Sequence, residues 1–238
     1  MTNYDPKPIS YRMKSEMVYD VLRKAILANE LPPGSAIDQN ALALRLQVSR
    51  TPLRQALVRL HAEGLVTLEP HGNAVVSPLS SDDIREVYAI RAALESMLAE
   101  VGSVEVDAEV VAAMNEFIAQ QGRAWDARAT HTFVQLDRKF HETLYRASGF
   151  FEACDLAARL RDRSDRYIEL YASYEQWGKN FITEHTAILD AVRNGDSAAV
   201  KRLTHSHVAN GMDVLLTLMA DAPHSSRPIS APTSADVV

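Results

Sequence analysis

The sequence predicts a mainly α-helical protein in two parts: three helices with a small β-hairpin, followed by an antiparallel bundle of about six helices. Three observations support this fold class. Apolar residues recur at spacings of three and four along most of the 238 residues, which is the pattern of amphipathic helices. Strand-like runs occur only between residues 65 and 76. A Ser- and Pro-containing linker at 77–81 separates a first part at 12–76 from a second part at 82–220.

Composition limits the classes of protein to which the chain can belong. Its single cysteine, Cys154, allows no internal disulfide. No apolar run approaches membrane-spanning length and the polar N-terminus has no signal-peptide pattern, so we expect a cytoplasmic protein with no membrane partner. Residues 1–78 carry 9 Lys and Arg against 7 Asp and Glu, whereas the remainder carries 16 against 24. Only the first part is therefore suited to approach a polyanion.

The first part begins with two helices. Residues 15–29 form an amphipathic helix that ends at the Leu-Pro-Pro-Gly stretch at 31–34. Its predicted core positions are Met17, Val18, Val21, Leu22, Ala25 and Ile26. A shorter helix follows at 38–46, for which Asp38 is a good N-cap. Residues 47 and 48 then leave room for only a tight connection to the next helix.

The third helix, at 49–60, has two different faces. Ser49 is a suitable N-cap, and Pro52 is tolerated because it lies in the first turn. Arg50 and Arg54 are four residues apart and share a polar face. An apolar stripe runs along another face and consists of Leu53, Ala56, Leu57 and Leu60. A packed face beside exposed arginines is what a DNA recognition helix needs.

Two strands complete the first part. Gly64 ends the third helix, and residues 65–68 and 74–76 predict a hairpin around a turn at 70–73. Two closely joined helices, the second suited to a major groove, form a helix-turn-helix. With the hairpin as a wing, residues 12–76 are predicted to be a winged helix-turn-helix.

These segments resemble the DNA-binding domain of the GntR family of bacterial transcription regulators. The resemblance runs from the Leu-Pro-Pro-Gly stretch at 31–34 through Ser-Arg-Thr-Pro-Leu-Arg at 49–54 to Ala-Glu-Gly-Leu-Val at 62–66. It implies that arginines of the recognition helix contact bases and nearby phosphates, and that the wing lies along the minor groove. Two positions depart from the family pattern: Asn40 replaces a frequent arginine, and Asn73 replaces a common wing glycine.

The expected DNA-binding residues are Ser49, Arg50, Thr51, Arg54, Asn40, His71 and Gly72. The alternative is that Arg50, Arg54 and Arg59 form the solvated face of an ordinary helix. The winged order of elements around them favours the DNA-binding interpretation. A bacterial regulator of this kind would work in the cytoplasm, associated with the nucleoid.

The second part is predicted to be entirely helical. The six expected helices span 82–101, 107–123, 129–148, 151–173, 177–194 and 196–220. Ser81 or Asp82 should cap the first of them and Asp196 the last. Helices of this length can bury one core as an antiparallel bundle. Residues 1–11 and 221–238 are expected to be disordered.

Inward-facing polar residues suggest a metal site within this bundle. Asp137 and His141 are four residues apart on a face that also carries Phe140, and His185 aligns with apolar neighbours on another helix. His205 and His207 diverge around the last helix, and the better apolar stripe contains His207. One carboxylate and three imidazoles suit Zn best, with Ni, Mn or Fe as alternatives. Taken singly, each histidine is more often an ordinary core or surface residue.

Residues 82–220 resemble the FCD domain of the FadR subfamily of GntR regulators, starting from Val-Tyr-Ala-Ile-Arg-Ala-Ala-Leu-Glu at 87–95. The metal pattern of that family maps onto Asp137, His141, His185 and His207 with no ligand missing. Six helices rather than seven would place the chain nearer the VanR-like branch. The resemblance also implies that the metal lies at the floor of a pocket for small carboxylic acids.

Four residues are candidates to contact such an acid. Arg91 could pair with a carboxylate in two hydrogen bonds, or it could form a structural ion pair with Glu95; the sequence favours neither. Arg163, Tyr167 and Asn210 are the other three candidates.

The function predicted from the sequence is a ligand-controlled repressor. A homodimer would bind a near-palindromic operator, and an organic acid bound at the metal would release it. Two alternatives stay open. The helical domain could hold only a structural metal, or none, and serve dimerisation. It could instead be a metal-dependent hydrolase or oxygenase joined to a DNA-binding domain.

Overall fold

The computed structural model describes residues 10–69, 73–104, 106–171 and 174–221 of the chain. The chain divides after Leu79 into two compact units. Within the described residues the protein is mainly helical with one two-stranded antiparallel sheet, which confirms the predicted fold class. No helix among these residues is long and apolar enough to cross a membrane.

The N-terminal unit has the predicted order of elements. It consists of α1 (Ser10–Leu27), α2 (Gln39–Arg45), α3 (Arg50–Ala62), β1 (Val66–Leu68) and β2 (Ala74–Val76). The two strands pair antiparallel, with Val66 opposite Val76 and Leu68 opposite Ala74. The turn expected at 70–73, apart from residue 73, lies outside the described residues.

Local chemistry explains where the short helices begin and end. The Asp38 carboxylate accepts hydrogen bonds from the N–H groups of Asn40 and Ala41 at 2.9 and 3.0 Å, and so caps α2 as predicted. Ser49 occupies the N-cap position of α3, but its side chain makes no capping hydrogen bond, contrary to expectation. Gly64 has a φ of 74°, a left-handed conformation that glycine adopts without strain, and it turns the chain from α3 towards β1.

The core of this unit consists of one face of α1, one face of α3 and the hairpin, together with Ile37 and, in α2, Ala43. Leu53, Leu57 and Leu60 of α3 are fully buried, as the apolar stripe predicts. The prediction for α1 was partly wrong, since Met17 and Val21 are exposed while Val18, Leu22 and Ile26 are buried. The helix also starts at Ser10 rather than at residue 15, so it includes two residues of the segment expected to be disordered.

The described part of the C-terminal unit contains six helices, the number predicted. They are α4 (Ser81–Gly102), α5 (Ala108–Asp126), α6 (Thr130–Arg146), α7 (Phe151–Tyr171), α8 (Tyr174–Arg193) and α9 (Ser197–Asp221). The N-cap of α4 is Ser80, whose hydroxyl accepts from the Asp83 N–H at 3.0 Å, and not Ser81 or Asp82. Asp196 caps α9 as predicted, accepting from the Ala199 N–H at 2.8 Å. The inward face of α6 buries Phe140 and Leu144 completely.

Candidate metal centre and candidate nucleic-acid interface

Three helices bring the four predicted metal ligands together. Asp137 and His141 lie one turn apart on α6, His185 lies on α8 and His207 on α9. One potential ligand atom from each of them lies within 4.8 Å of the other three. The histidines are buried, and Asp137 is partly exposed. His205 is exposed and His207 is buried, which confirms the prediction that His207 is the one that faces inward on the last helix.

The distances within this group match the spacing of ligands around a metal ion. The Nε2 atoms of His141, His185 and His207 are 3.1, 3.2 and 3.3 Å apart. Asp137 Oδ1 lies 3.2 Å from His185 Nε2 and 3.8 Å from His141 Nε2. Ligands at about 2.1 Å from one ion are about 3.0 Å apart at right angles and about 3.4 Å apart at tetrahedral angles. The donor set and its spacing therefore fit a divalent transition metal.

The far side of each imidazole is occupied by a hydrogen-bond partner. His185 Nδ1 lies 2.8 Å from Gln121 Oε1, and His207 Nδ1 lies 2.7 Å from Glu184 Oε2. His141 Nδ1 lies 3.2 Å from the hydroxyl of Tyr145. Each partner can accept a hydrogen bond from the Nδ1–H group, and in that tautomer the Nε2 lone pairs are directed at one another. Three lone pairs at this separation repel each other unless a cation lies between them.

Three of the four residues, Asp137, His141 and His185, have the protonation states that metal binding requires. Burial lowers the pKa of His185 to about 4 and that of His141 well below its usual range, so both rings are neutral at pH 7. Burial alone would raise the pKa of Asp137, but the Arg161 guanidinium holds it well below its usual range. His141, His185 and Asp137 therefore offer two neutral imidazoles and a carboxylate without losing protons first.

Arg91 forms the ion pair that was one of its two predicted roles. Its Nε donates to Glu95 Oε1 at 2.6 Å and its NH1 to Ser164 Oγ at 2.8 Å, all within the core. Glu95 also accepts from the Tyr145 hydroxyl at 2.9 Å, which links this pair to the ring of His141. Contact between Arg91 and an effector stays a prediction.

The other predicted effector residues are likewise bound to protein groups. Arg163 pairs with Asp83 near the start of α4. The Tyr167 hydroxyl accepts from the Ser80 N–H at 3.0 Å and lies 2.9 Å from Asp83 Oδ2. Asn210 donates to Glu184 Oε1 at 2.7 Å and so supports the partner of His207.

Sequence reasoning missed several residues of this site. Arg161, on α7, donates to Asp137 Oδ2 and is almost fully buried. Gln121, Tyr145 and Glu184 hold the three imidazoles from behind. Glu184 directly precedes His185, so its position in the sequence could have drawn attention to it. Arg161 and Gln121 lie on other helices than their partners, and no spacing in the sequence reveals those contacts.

The predicted DNA-binding side chains of the helix-turn-helix are all solvent-exposed. Arg50, Thr51 and Arg54 lie along the first turns of α3, Ser49 precedes them, and Asn40 lies on α2. This exposure leaves the arginines available to a major groove while the opposite face of α3 stays in the core. His71 and Gly72, expected at the tip of the wing, lie outside the described residues.

The domain organisation agrees with known protein families. The profile of bacterial regulatory proteins of the gntR family matches residues 14–76, and the profile of the FCD domain matches residues 86–210. The chain belongs to the GntR family and to its FadR-like, FCD-containing subfamily, as the sequence resemblance indicated. It is a DNA-binding transcription regulator and not an enzyme. Placement in the VanR-like branch stays a prediction.

Individual relatives support this assignment, and a solved structure shows the same fold. The chain is 30% identical over 206 residues to an HTH-type transcriptional regulator from an unstable DNA locus of Streptomyces ambofaciens, covering 87% of this chain and 86% of that protein. It is 24% identical over 194 residues to the HTH-type transcriptional repressor RspR of Escherichia coli K12, covering 82% and 85%. The solved structure of E. coli McbR/YncC has the same fold, with a TM-score of 0.72 at 20% identity over 88% of this chain and 99% of that one.

Proposed function

We propose that this regulator is a repressor that a small carboxylic acid releases from its operator, and that the acid binds at a metal held by Asp137, His141, His185 and His207. The observation that carries the proposal is the convergence of three buried Nε2 atoms at 3.1–3.3 Å, each on a ring whose Nδ1 already has a partner. Three buried nitrogen lone pairs that face one another are unfavourable without a cation, so this arrangement is well suited to bind one.

Zinc is the metal that best matches the donor set, and nickel, manganese and iron are alternatives. Four protein ligands leave a position free in five- or six-coordinate geometry. When bound, the metal would supply a Lewis-acidic position for one carboxylate oxygen. Asp137 is the ligand that is partly exposed, so the accessible side of the centre lies near this residue.

For DNA recognition we propose a homodimer on a near-palindromic operator. Members of this family commonly act as dimers, and a two-fold dimer would present two copies of α3 to half-sites about 10–10.5 base pairs apart, or a multiple of that spacing. Arg50 and Arg54 would then read base edges, with Ser49 and Thr51 on phosphates.

Within the C-terminal unit, α7 connects the metal centre to the start of α4. Arg161 of α7 bonds a metal ligand, and Tyr167 of the same helix bonds Ser80 and Asp83, where the chain leaves the linker. An acid that displaced α7 at the metal centre would therefore disturb the beginning of α4. We propose this route for the signal, with the acid binding the released form more tightly than the DNA-bound form.

We propose repression rather than activation because one relative of this chain is a repressor. RspR of E. coli, 24% identical to this chain, is a transcriptional repressor. Removal of DNA binding by an effector is the simplest switch for a repressor, and we propose the same sign here.

Operator binding measures this function directly. Operator DNA is selected from random duplexes with the full chain, and the affinity is followed by fluorescence anisotropy with zinc-loaded and chelator-treated protein. We expect a panel of small carboxylic acids to contain at least one that weakens binding tenfold or more, and only with zinc-loaded protein. If no acid changes the affinity, the carboxylate effector is refuted. An acid acting equally without metal would instead indicate a metal of purely structural role.

A further inference from the structure

We infer that Arg161 is the residue that binds the carboxylate of the effector beside the metal. This inference rests on the proposed function and deepens it by naming the group that confers selectivity for an anion. It names an arginine that differs from Arg91 and Arg163, the two predicted from the sequence.

The hydrogen bonding of Arg161 is incomplete. Only 4% of the residue is exposed, and its NH2 donates to Asp137 Oδ2. Its Nε and NH1 are buried and have no hydrogen-bond partner in the part of the chain that the structure describes. Glu95 Oε2 lies 3.6 Å from NH1, which attracts the charge but is too far for a hydrogen bond. Buried donors are nearly always satisfied, so this guanidinium lacks acceptors that a bound anion would supply.

The neighbouring arginines differ in this respect. Arg91 already donates to Glu95 and Ser164, and Arg163 already pairs with Asp83. An anion that recruited either of them would have to break contacts within the protein. Arg161 can accept a new partner at Nε and NH1 while its NH2 keeps Asp137 in place.

Asp137 shows how a carboxylate can join Arg161 to the metal centre. Its Oδ1 lies 3.2 Å from His185 Nε2, among the metal ligand atoms, while its Oδ2 accepts from Arg161. A carboxylate of the effector placed beside Asp137 would likewise bind Arg161 through one oxygen, and its other oxygen would be available to a bound metal. The minimal ligand is therefore a single small carboxylate, and an uncharged amide of the same shape is a poor substitute.

Binding of acetate to zinc-loaded protein tests this assignment, with acetamide as the uncharged control. Acetate affinity is measured by isothermal titration calorimetry and zinc content by mass spectrometry, for the wild type, Arg161→Met, Arg161→Lys and Arg159→Met. Arg159 is an exposed arginine on the same helix and provides the matched control. Zinc is kept in excess so that both Arg161 variants stay loaded although they lose the bond to Asp137. We then expect Arg161→Met to bind acetate at least tenfold more weakly, Arg161→Lys to fall in between, and Arg159→Met to match the wild type.

The remaining outcomes separate the inference from the function on which it rests. If a zinc-retaining Arg161 variant binds acetate as the wild type does, the inference is wrong and the effector proposal stands. Loss of zinc from both Arg161 variants would show that this arginine only positions Asp137, which also overturns the inference. If wild-type protein with zinc bound shows no preference for acetate over acetamide, a carboxylate site at the metal is refuted and both proposals fail.

Discussion

The residues of α3 have opposite environments on the two faces of the helix. Leu53, Leu57 and Leu60 are completely buried, whereas Arg50 and Arg54 are exposed. Helical spacing alone predicts this division, because residues three and four apart share a face. The arginines can therefore be changed without disturbing the core, which makes them suitable for a test of DNA recognition.

Replacing Arg50 or Arg54 by alanine should weaken operator binding by about 1–3 kcal/mol each, because an arginine that bonds a base edge contributes about that much discrimination. Arg123→Ala, at an exposed arginine of α5 that pairs with Glu116, should leave the affinity unchanged. Fluorescence anisotropy titrations with operator DNA and with scrambled DNA measure the operator affinity and the non-specific affinity of each variant. Operator binding that survives Arg50→Ala and Arg54→Ala intact would show that α3 reads DNA through other residues.

The two histidines of α9 provide a matched pair for the metal centre. His207 is buried among the ligand atoms, and His205, two residues earlier, is exposed. His207→Ala should lower zinc affinity by about 10-fold or more. Loss of a residue that only hydrogen-bonds a ligand costs about 10-fold or more, and loss of the ligand itself should cost at least as much. His205→Ala should bind zinc as the wild type does. Equal zinc affinities in the two variants would rule out His207 as a ligand.

Local patterns predicted the four candidate metal ligands that the fold brings together, but not the residues behind them. Helical spacing selects His207 over His205 because it measures which side of a helix is apolar. The contact of Gln121 with His185, and that of Arg161 with Asp137, join different helices. Such contacts depend on how the helices pack against one another, and helical spacing within a single sequence does not predict that packing.

Among the helices, α7 has contacts at both the metal centre and the start of α4. Tyr167→Phe removes the hydroxyl that bonds Ser80 and Asp83, while the ring that fills the core remains. We expect a loss of about 1–3 kcal/mol in the free energy of unfolding, the usual effect of leaving a partly buried polar group unpaired. Thermal unfolding and urea titration measure this loss.

The same variant tests the proposed route of the signal. If α7 transmits effector binding, Tyr167→Phe should keep its zinc but show a smaller decrease in operator affinity than the wild type when both are saturated with the acid. Full release by Tyr167→Phe would mean that the signal reaches α4 by contacts other than this hydroxyl.

Helices as elements were predicted well, and their ends less well. The six helices of the C-terminal unit follow from apolar periodicity, which is a local property. The N-cap of α4 is one residue earlier than expected because Ser80, Ser81 and Asp82 are all acceptable caps and only the backbone conformation decides among them. Met17 and Val21 are apolar residues of the kind that usually fill a core, yet they are exposed on α1.

For the whole molecule, the metal should act as a stabilising ligand. Binding to the folded state alone adds about 4.1 kcal/mol when free metal is about 1,000 times its Kd. For a chain of this size that corresponds to a rise in Tm of about 8–16 °C, at about 2–4 °C per kcal/mol. Calorimetry of the full chain with increasing zinc, and then with chelator, measures the shift.

His207→Ala is the control for this experiment, because it should give the same Tm with and without zinc. The N-terminal unit contains none of the four ligands, so any separate transition of that unit should not move. A zinc-dependent rise in Tm that persists in His207→Ala would locate the metal elsewhere in the chain.

The proposed metal site uses only nitrogen and oxygen donors, and this has a consequence for oxidative stress. The single cysteine of the chain, Cys154, is buried in the hydrophobic core and directs its thiol to the Tyr145 carbonyl at 3.3 Å, outside the ligand set. Thiolate ligands are lost when sulfur is oxidised, whereas imidazole and carboxylate ligands do not follow that chemistry. A zinc ion held here should therefore stay bound under peroxide concentrations that empty a cysteine-based zinc site, so that a zinc-loaded regulator would respond to its proposed effector independently of the redox state of the cell.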